Sequence, residues 1–122
     1  MTRHQINDEL GAIRFSDEVV SAIAGLAASE IEGVAGMSGG FTGGIVGILA
    51  KKNLTKGIKV EVGEKEAVIN LYLAVYYETY IPDVALQVQE NVKETVENMT
   101  GLEVSQVNIN VQGVAFKEEE KK

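Results

Sequence analysis

The longest apolar segment of the chain runs from Ala67 to Tyr77 and reads AVINLYLAVYY. Its β-branched and aromatic residues predict a central β-strand. Because side chains alternate along a strand, the odd-numbered positions form an apolar face that must meet a core. The even-numbered positions form a mixed face that carries no charge and includes Asn70, Tyr72 and Tyr76.

Further strand patterns lie on both sides of this segment. Residues 57–62 (GIKVEV) alternate cleanly and lead through a turn into the central strand, which predicts an antiparallel hairpin. Residues 104–116 (VSQVNINVQGVAF) predict a last strand, and the apolar phase shift after Gly113 predicts a β-bulge. Residues 10–15 (LGAIRF) predict a short first strand, and residues 34–37 (VAGM) a brief extended piece.

Two segments have helical spacing. Ser16 is a predicted N-cap, and apolar residues follow it at helical intervals as far as Ile31, with Gly33 as the predicted stop. Pro82 starts the second helix, whose apolar seam recurs every three or four residues until Gly101 ends it. Residues 45–52 allow one more short amphipathic helix of about two turns.

The order strand, helix, strand, strand, helix, strand predicts an α+β fold. We expect a two-layer sandwich with a mostly antiparallel sheet and both main helices on one face. Residues 10–116 then form a single domain between a flexible N-terminal segment, 1–9, and a charged disordered tail, 117–122. The other sheet face is open and is expected to carry Asn70, Tyr72, Tyr76, Asn108, Asn110 and Gln112. An uncharged face with tyrosines is either a solvated surface or a contact surface.

The amino-acid composition argues against several kinds of chemistry. The chain of 122 residues has no cysteine, and its one histidine, His4, lies in the segment expected to be flexible. No run approaches the roughly 18 apolar residues of a membrane span, and the N-terminus has no apolar signal core, so we expect a soluble, unsecreted protein. The net charge of −7 disfavours nucleic acid as the main partner. We therefore expect no catalytic, cofactor-binding or metal-binding residue, and no enzymatic activity.

One glycine-rich segment is basic although the whole chain is acidic. No acidic residue lies between Glu32 and Glu61, an interval that contains Lys51 and Lys52. It is either a basic loop or a docking site for an acidic partner or lipid headgroups. Phe41 lies within a GxxG pattern at residues 40–43, which KH modules use to bind RNA, although such short patterns are common in glycine-rich segments.

The ordered set of motifs resembles the alkaline-shock, or envelope stress response, protein family of Gram-positive bacteria. The resemblance is carried by GAIRFSDEVVSAIAGLAASEIEGVAGM, KGIKVEV and LYLAVYY, and above all by IPDVALQVQENVKETVENMTGLEVSQVNINVQGVAF at residues 81–116. From the first of these segments to the last, the resemblance spans more than four fifths of the chain.

The resemblance implies a non-enzymatic cytoplasmic protein that self-associates and stays near the inner face of the cell membrane through a small membrane-anchored partner. It also implies a role in envelope homeostasis under stress, and no agreed catalytic residues. Two alternatives stay open: a regulator that binds an enzyme of fatty-acid synthesis, and a KH-like RNA-binding module. The candidate interaction residues under these hypotheses are Tyr72, Tyr76, Asn70, Asn108, Asn110, Gln112, Phe41, Lys51 and Lys52.

Overall fold

The computed structural model of the protein describes residues 10–37 and 57–116. Its elements are α1 (Asp17–Ser29), β1 (Val34–Met37), β2 (Ile58–Val62), β3 (Glu66–Tyr76), α2 (Ile81–Thr100) and β4 (Glu103–Ala115). The predicted α+β class is confirmed. The predictions made for residues 1–9, for residues 38–56 and for the tail at 117–122 lie outside the described residues.

All strand pairing is centred on β3. β1 and β2 both pair with β3 in antiparallel orientation, β2 along residues 67–71 and β1 along residues 73–75. β4 pairs in parallel along the full length of β3, from residue 66 to residue 76. Because a strand has only two edges, β1 and β2 must lie end to end along one edge of β3, and β4 occupies the other. Two of the three pairings are therefore antiparallel, and the longest is parallel.

The core lies between the odd-numbered face of β3 and the two helices. The buried β3 residues are Ala67, Ile69, Leu71, Leu73 and Val75, as their alternation predicted. The α2 residues that share this core are Val84, Val88, Val92 and Val96. α1 packs on β1, β2 and α2, and α2 packs on β4, so both helices lie on the same sheet face. Burial of apolar surface contributes about 25 cal/mol per Å² to the free energy of folding, so the packing of this core is the main contribution to stability.

The helix ends follow local capping chemistry. The Ser16 side chain accepts a hydrogen bond from the Val19 amide at 3.2 Å, which confirms the predicted N-cap of α1. α2 has its proline in the first turn and ends at Gly101, whose φ of +81° is the left-handed conformation that glycine adopts without strain. Gly33 does not end α1, because that helix is C-capped earlier by Glu30.

The predicted first strand at residues 10–15 is wrong, because this segment is not a strand. Leu10 is 93% exposed and Ile13 is 65% exposed, while Phe15 turns inward and packs against the core. Alternation alone does not make a strand, because a strand also needs an edge to pair with. Both edges of β3 are occupied, one by β4 and the other by β1 and β2, so residues 10–15 cannot pair with the central strand.

The bulge predicted near Gly113 is confirmed. The register runs from the pair Leu73–Val111 directly to the pair Ala74–Gly113, which leaves Gln112 without a partner on β3. A second register shift, near the start of β4, leaves Ser105 without an aligned residue on β3. Bulges increase local twist, and here they delimit a regular central segment of β4.

Candidate interaction surface

The open sheet face is built from the even-numbered residues of β3 and their partners on β4. Asn70 lies beside Asn108, and Tyr72 lies beside Asn110. In a parallel pair, aligned residues point to the same side of the sheet, so these side chains share the face away from the helices. We call the surface formed by Asn70, Tyr72, Tyr76, Asn108 and Asn110 the amide–tyrosine face.

Hydrogen bonds between side chains order part of this face. The Asn108 Nδ2 atom donates to Asn70 Oδ1 at 3.0 Å and to Gln106 Oε1 at 3.2 Å. Asn110 Nδ2 donates to the backbone carbonyl of Leu71 at 3.2 Å. Side chains that are already held in place lose less conformational entropy when a partner binds, so this network pre-organises the face for contact.

Charged residues lie at the margin of the amide–tyrosine face rather than at its centre. Lys59 and Glu61 of β2 align with Asn70 and Val68, and so they point to the same side of the sheet. The Lys59 Nζ atom lies 5.8 Å from the ring centroid of Tyr72, within cation–π distance. The amide–tyrosine face therefore has no charged residue of its own, and the Lys59 ammonium borders it at the Tyr72 ring. A tyrosine-containing centre with a charged rim is the composition expected of a protein–protein interface.

Four further candidate residues were predicted from sequence. Gln112 is the unpaired residue of the β4 bulge and is exposed. Phe41, Lys51 and Lys52 lie outside the described residues. The structure thus assembles five of the nine candidate residues on one surface.

A second exposed surface was missed by sequence reasoning. Tyr77 and Phe116 stack with ring centroids 4.9 Å apart and an interplanar angle of 24° at the end of the sheet. Val111 and Val114 align with the core residues Leu73 and Val75, yet they are 37% and 52% exposed. Their register places both side chains on the core side of the sheet, and no local signal reveals how far a helix extends over a sheet.

The described residues hold no cluster of potential metal ligands. In ranges 10–37 and 57–116, no three histidine, cysteine or acidic side chains are grouped so that they could hold a metal ion. Ser21 is the one buried polar residue in those ranges, and none of their buried side-chain polar atoms lacks a hydrogen-bond partner.

A protein-family model covers most of the chain. The model of the ASP23 family, described as having a cell envelope-related function, matches residues 5–116. The chain belongs to this family, as the resemblance predicted. None of the helices formed by the described residues has both the length and the apolar character needed to cross a membrane.

Several curated proteins are similar to this chain. The uncharacterized protein YqhY of Bacillus subtilis (strain 168) is 42% identical over 107 residues, which cover 88% of this chain and 79% of that protein. The uncharacterized protein YloU of the same organism is 38% identical and covers 90% of this chain and 93% of that protein. A stress response regulator gls24 homolog of Streptococcus pyogenes is 31% identical over 89% of this chain and 62% of that protein.

Proposed function

We propose that this protein is a non-enzymatic scaffold or adaptor of the cell-envelope stress response. It acts in the cytoplasm, at the inner face of the cell membrane, where a small membrane-anchored protein holds it, and it self-associates. The family's envelope-related function and the relative named as a stress response regulator support the process. The amide–tyrosine face supports the mode of action.

The observation that carries the proposal is the combination of an uncharged centre, two tyrosines and a fixed amide network on a sheet face. Tyr72 and Tyr76 are half-buried, and neither described helix packs on their side of the sheet. Tyrosine provides large contact area at low entropic cost and is enriched in binding hot spots. We infer that this face binds the membrane-anchored partner.

The test introduces charge into the centre of the face. The double substitution Tyr72→Glu and Tyr76→Glu is expected to abolish capture of the partner from solubilised membranes while the circular dichroism spectrum stays native. The matched control is Val19→Glu with Leu26→Glu, which adds the same charge at exposed apolar positions of α1. If the tyrosine variant still captures the partner like the unmodified protein, the face is not the binding surface.

The two alternative functions have no specific support among the described residues. Lys51, Lys52 and the GxxG pattern, on which RNA binding would depend, lie outside those residues. Regulation of a fatty-acid synthesis enzyme rests on no contact described above. Recovery of the tagged protein from the soluble fraction alone, with a biosynthetic enzyme or RNA attached, would favour one of these alternatives over the envelope scaffold.

A further inference from the structure

β4 uses only one of its two edges within the described part of the chain. It is 13 residues long and, among the described strands, pairs with β3 alone. A free strand edge presents unpaired N–H and C=O groups, which another strand can satisfy by extending the sheet. The outer edge of β4 is therefore a second candidate contact site, distinct from the amide–tyrosine face.

Side chains of α2 occupy the first part of this edge. The Lys93 Nζ atom donates to the Val104 carbonyl at 3.0 Å, and the Val104 amide donates to Glu97 Oε2 at 2.9 Å. Gln89 Nε2 donates to the Val107 carbonyl at 3.0 Å. These contacts satisfy the backbone groups that an added strand would need, so they close the edge as far as Val107.

Beyond Val107 the edge is regular and accessible. The register with β3 continues without interruption from Val107 to Val111. Because peptide groups alternate between the two edges of a strand, Ile109 and Val111 present their N–H and C=O groups on the same side as Val107. The described hydrogen bonds from α2 to the backbone of β4 end at Val107, so Ile109 and Val111 offer the outer edge to a new strand.

Exposed apolar side chains lie beside the same part of the edge. Val111 and Val114 are partly uncovered, and Phe116 is 67% exposed. Leu86 is 50% exposed and lies one helical turn before Gln89, on the side of α2 that faces β4. An open edge and an apolar strip thus coincide, whereas monomeric proteins usually protect an edge strand with charge or proline.

The distribution of charge indicates which molecule pairs with this edge of β4. No charged residue occurs between Val104 and Phe116, although the chain carries a net charge of −7. Two copies of an acidic chain repel each other over most approaches, and this strand is where that repulsion is weakest. An antiparallel pair of identical strands is also self-complementary, because each copy contributes the same donors and acceptors about a two-fold axis.

We propose that the outer edge of β4, along its regular segment from Ile109 to Val111, pairs in antiparallel orientation with the same segment of a second copy of this chain. The pairing joins two four-stranded sheets into one and buries Val111, Val114 and Leu86 of both copies. The two-fold axis of an antiparallel pair is perpendicular to the sheet, so both amide–tyrosine faces lie on the same side of the dimer. The inference rests on the proposed function, because it specifies the surface of the self-association proposed there. The arrangement lets one dimer hold two partner molecules with increased avidity.

The test measures the mass of the full chain in solution by sedimentation equilibrium. The unmodified protein is expected at twice the 13.1 kDa mass of one chain. Val111→Pro is expected to be monomeric, because proline removes an outward N–H without removing a bond to β3. Leu86→Lys with Val114→Lys provides a second disruption that leaves the backbone unchanged, at two exposed positions.

The controls separate this proposal from the scaffold function. The variant with Tyr72→Glu and Tyr76→Glu is expected to remain a dimer while it loses the partner. A monomeric unmodified protein, a lysine variant that stays dimeric, or a tyrosine variant that becomes monomeric would each overturn β4 pairing. Amide hydrogen exchange adds a site-specific measurement, since the Ile109 and Val111 amides should gain protection as concentration rises, and unchanged protection would contradict the proposal.

Discussion

At the scale of single residues, Gly33 is a position where backbone and packing both demand glycine. Its φ is +110°, and a Cβ atom added there would lie 2.7 Å from Val84 Cγ2 and 3.2 Å from Thr79 Cγ2. Its carbonyl also accepts a hydrogen bond from the Tyr76 amide at 2.9 Å. Gly33 therefore joins the turn after α1 to both β3 and the start of α2.

Gly33→Ala is expected to lower the free energy of unfolding by about 2 kcal/mol or more, from backbone strain together with the clash. Urea denaturation measures the change. The control is Gly63→Ala, because the nearest atom to its added Cβ is the Glu66 carbonyl oxygen at 3.6 Å, which is ordinary contact. Equal stability of the two variants would contradict this account of Gly33.

Asn91 makes a long-range polar contact that links the two helices. Its Nδ2 atom donates to the Ala27 carbonyl at 2.8 Å and to Glu30 Oε1 at 3.1 Å, at the C-terminal end of α1. Asn91→Ala is expected to cost about 1 kcal/mol, the usual net value of such a hydrogen bond. Thermal unfolding compared with Asn98→Ala, at an exposed position of the same helix, checks the prediction. A smaller loss for Asn91→Ala than for Asn98→Ala would refute it.

At the scale of elements, most of the buried residues of α1 are small. Ala24 is fully buried, while Leu26 is 53% exposed. Ala24→Leu is therefore expected to destabilise the protein by about 1–3 kcal/mol through overpacking against the rest of the core. Leu26→Ala is expected to cost less than Ala24→Leu, and chemical denaturation of both variants measures the order. A larger loss of stability for Leu26→Ala than for Ala24→Leu would contradict this packing of α1.

The elements that could be predicted from the sequence are those with strong local signals. β3 was predictable because its alternation extends over the whole strand, and α2 because proline, a valine seam and glycine mark its start, face and end. The segment at residues 10–15 has a local strand pattern too, but strand formation depends on a free edge elsewhere in the fold. Its failure as a strand could not be read from local sequence.

The candidate surfaces also combine features that local sequence predicts with features that only the folded molecule determines. The pairing of Asn70 with Asn108 follows from alternation once β3 and β4 are adjacent, so most of the amide–tyrosine face was predictable. The charged rim required the register of β2 against β3, which places Lys59 beside Asn70. The exposure of the last part of β4 could not be predicted, because it depends on where the contacts between α2 and β4 end. That point is set by the packing of the whole molecule.

At the scale of the whole molecule, the net charge of −7 sets how self-association depends on salt. Two acidic copies repel over distances that salt screens, while contacts across an uncharged β4 edge are little affected by screening. Dimerisation is therefore expected to strengthen as ionic strength rises, as measured by sedimentation equilibrium across a salt series. A dimer that weakens with added salt would instead depend on pairs of opposite charges.

The arrangement of surfaces relates the fold to its proposed role. The helices and core lie on one side of the sheet, the amide–tyrosine face lies on the other, and the free part of β4 lies at one edge. The two candidate contact sites occupy different parts of the molecule. Partner binding and self-association can therefore proceed together, as a scaffold requires.

The central claim is that the amide–tyrosine face contacts a membrane-anchored partner in the cell. The most direct measurement is photo-crosslinking in living cells with a light-activated amino acid at position Tyr72, compared with the same residue at position Leu26 on α1. We predict a crosslinked product in the membrane fraction from position 72 and none from position 26. No product from position 72, or the same product from both positions, would contradict the account.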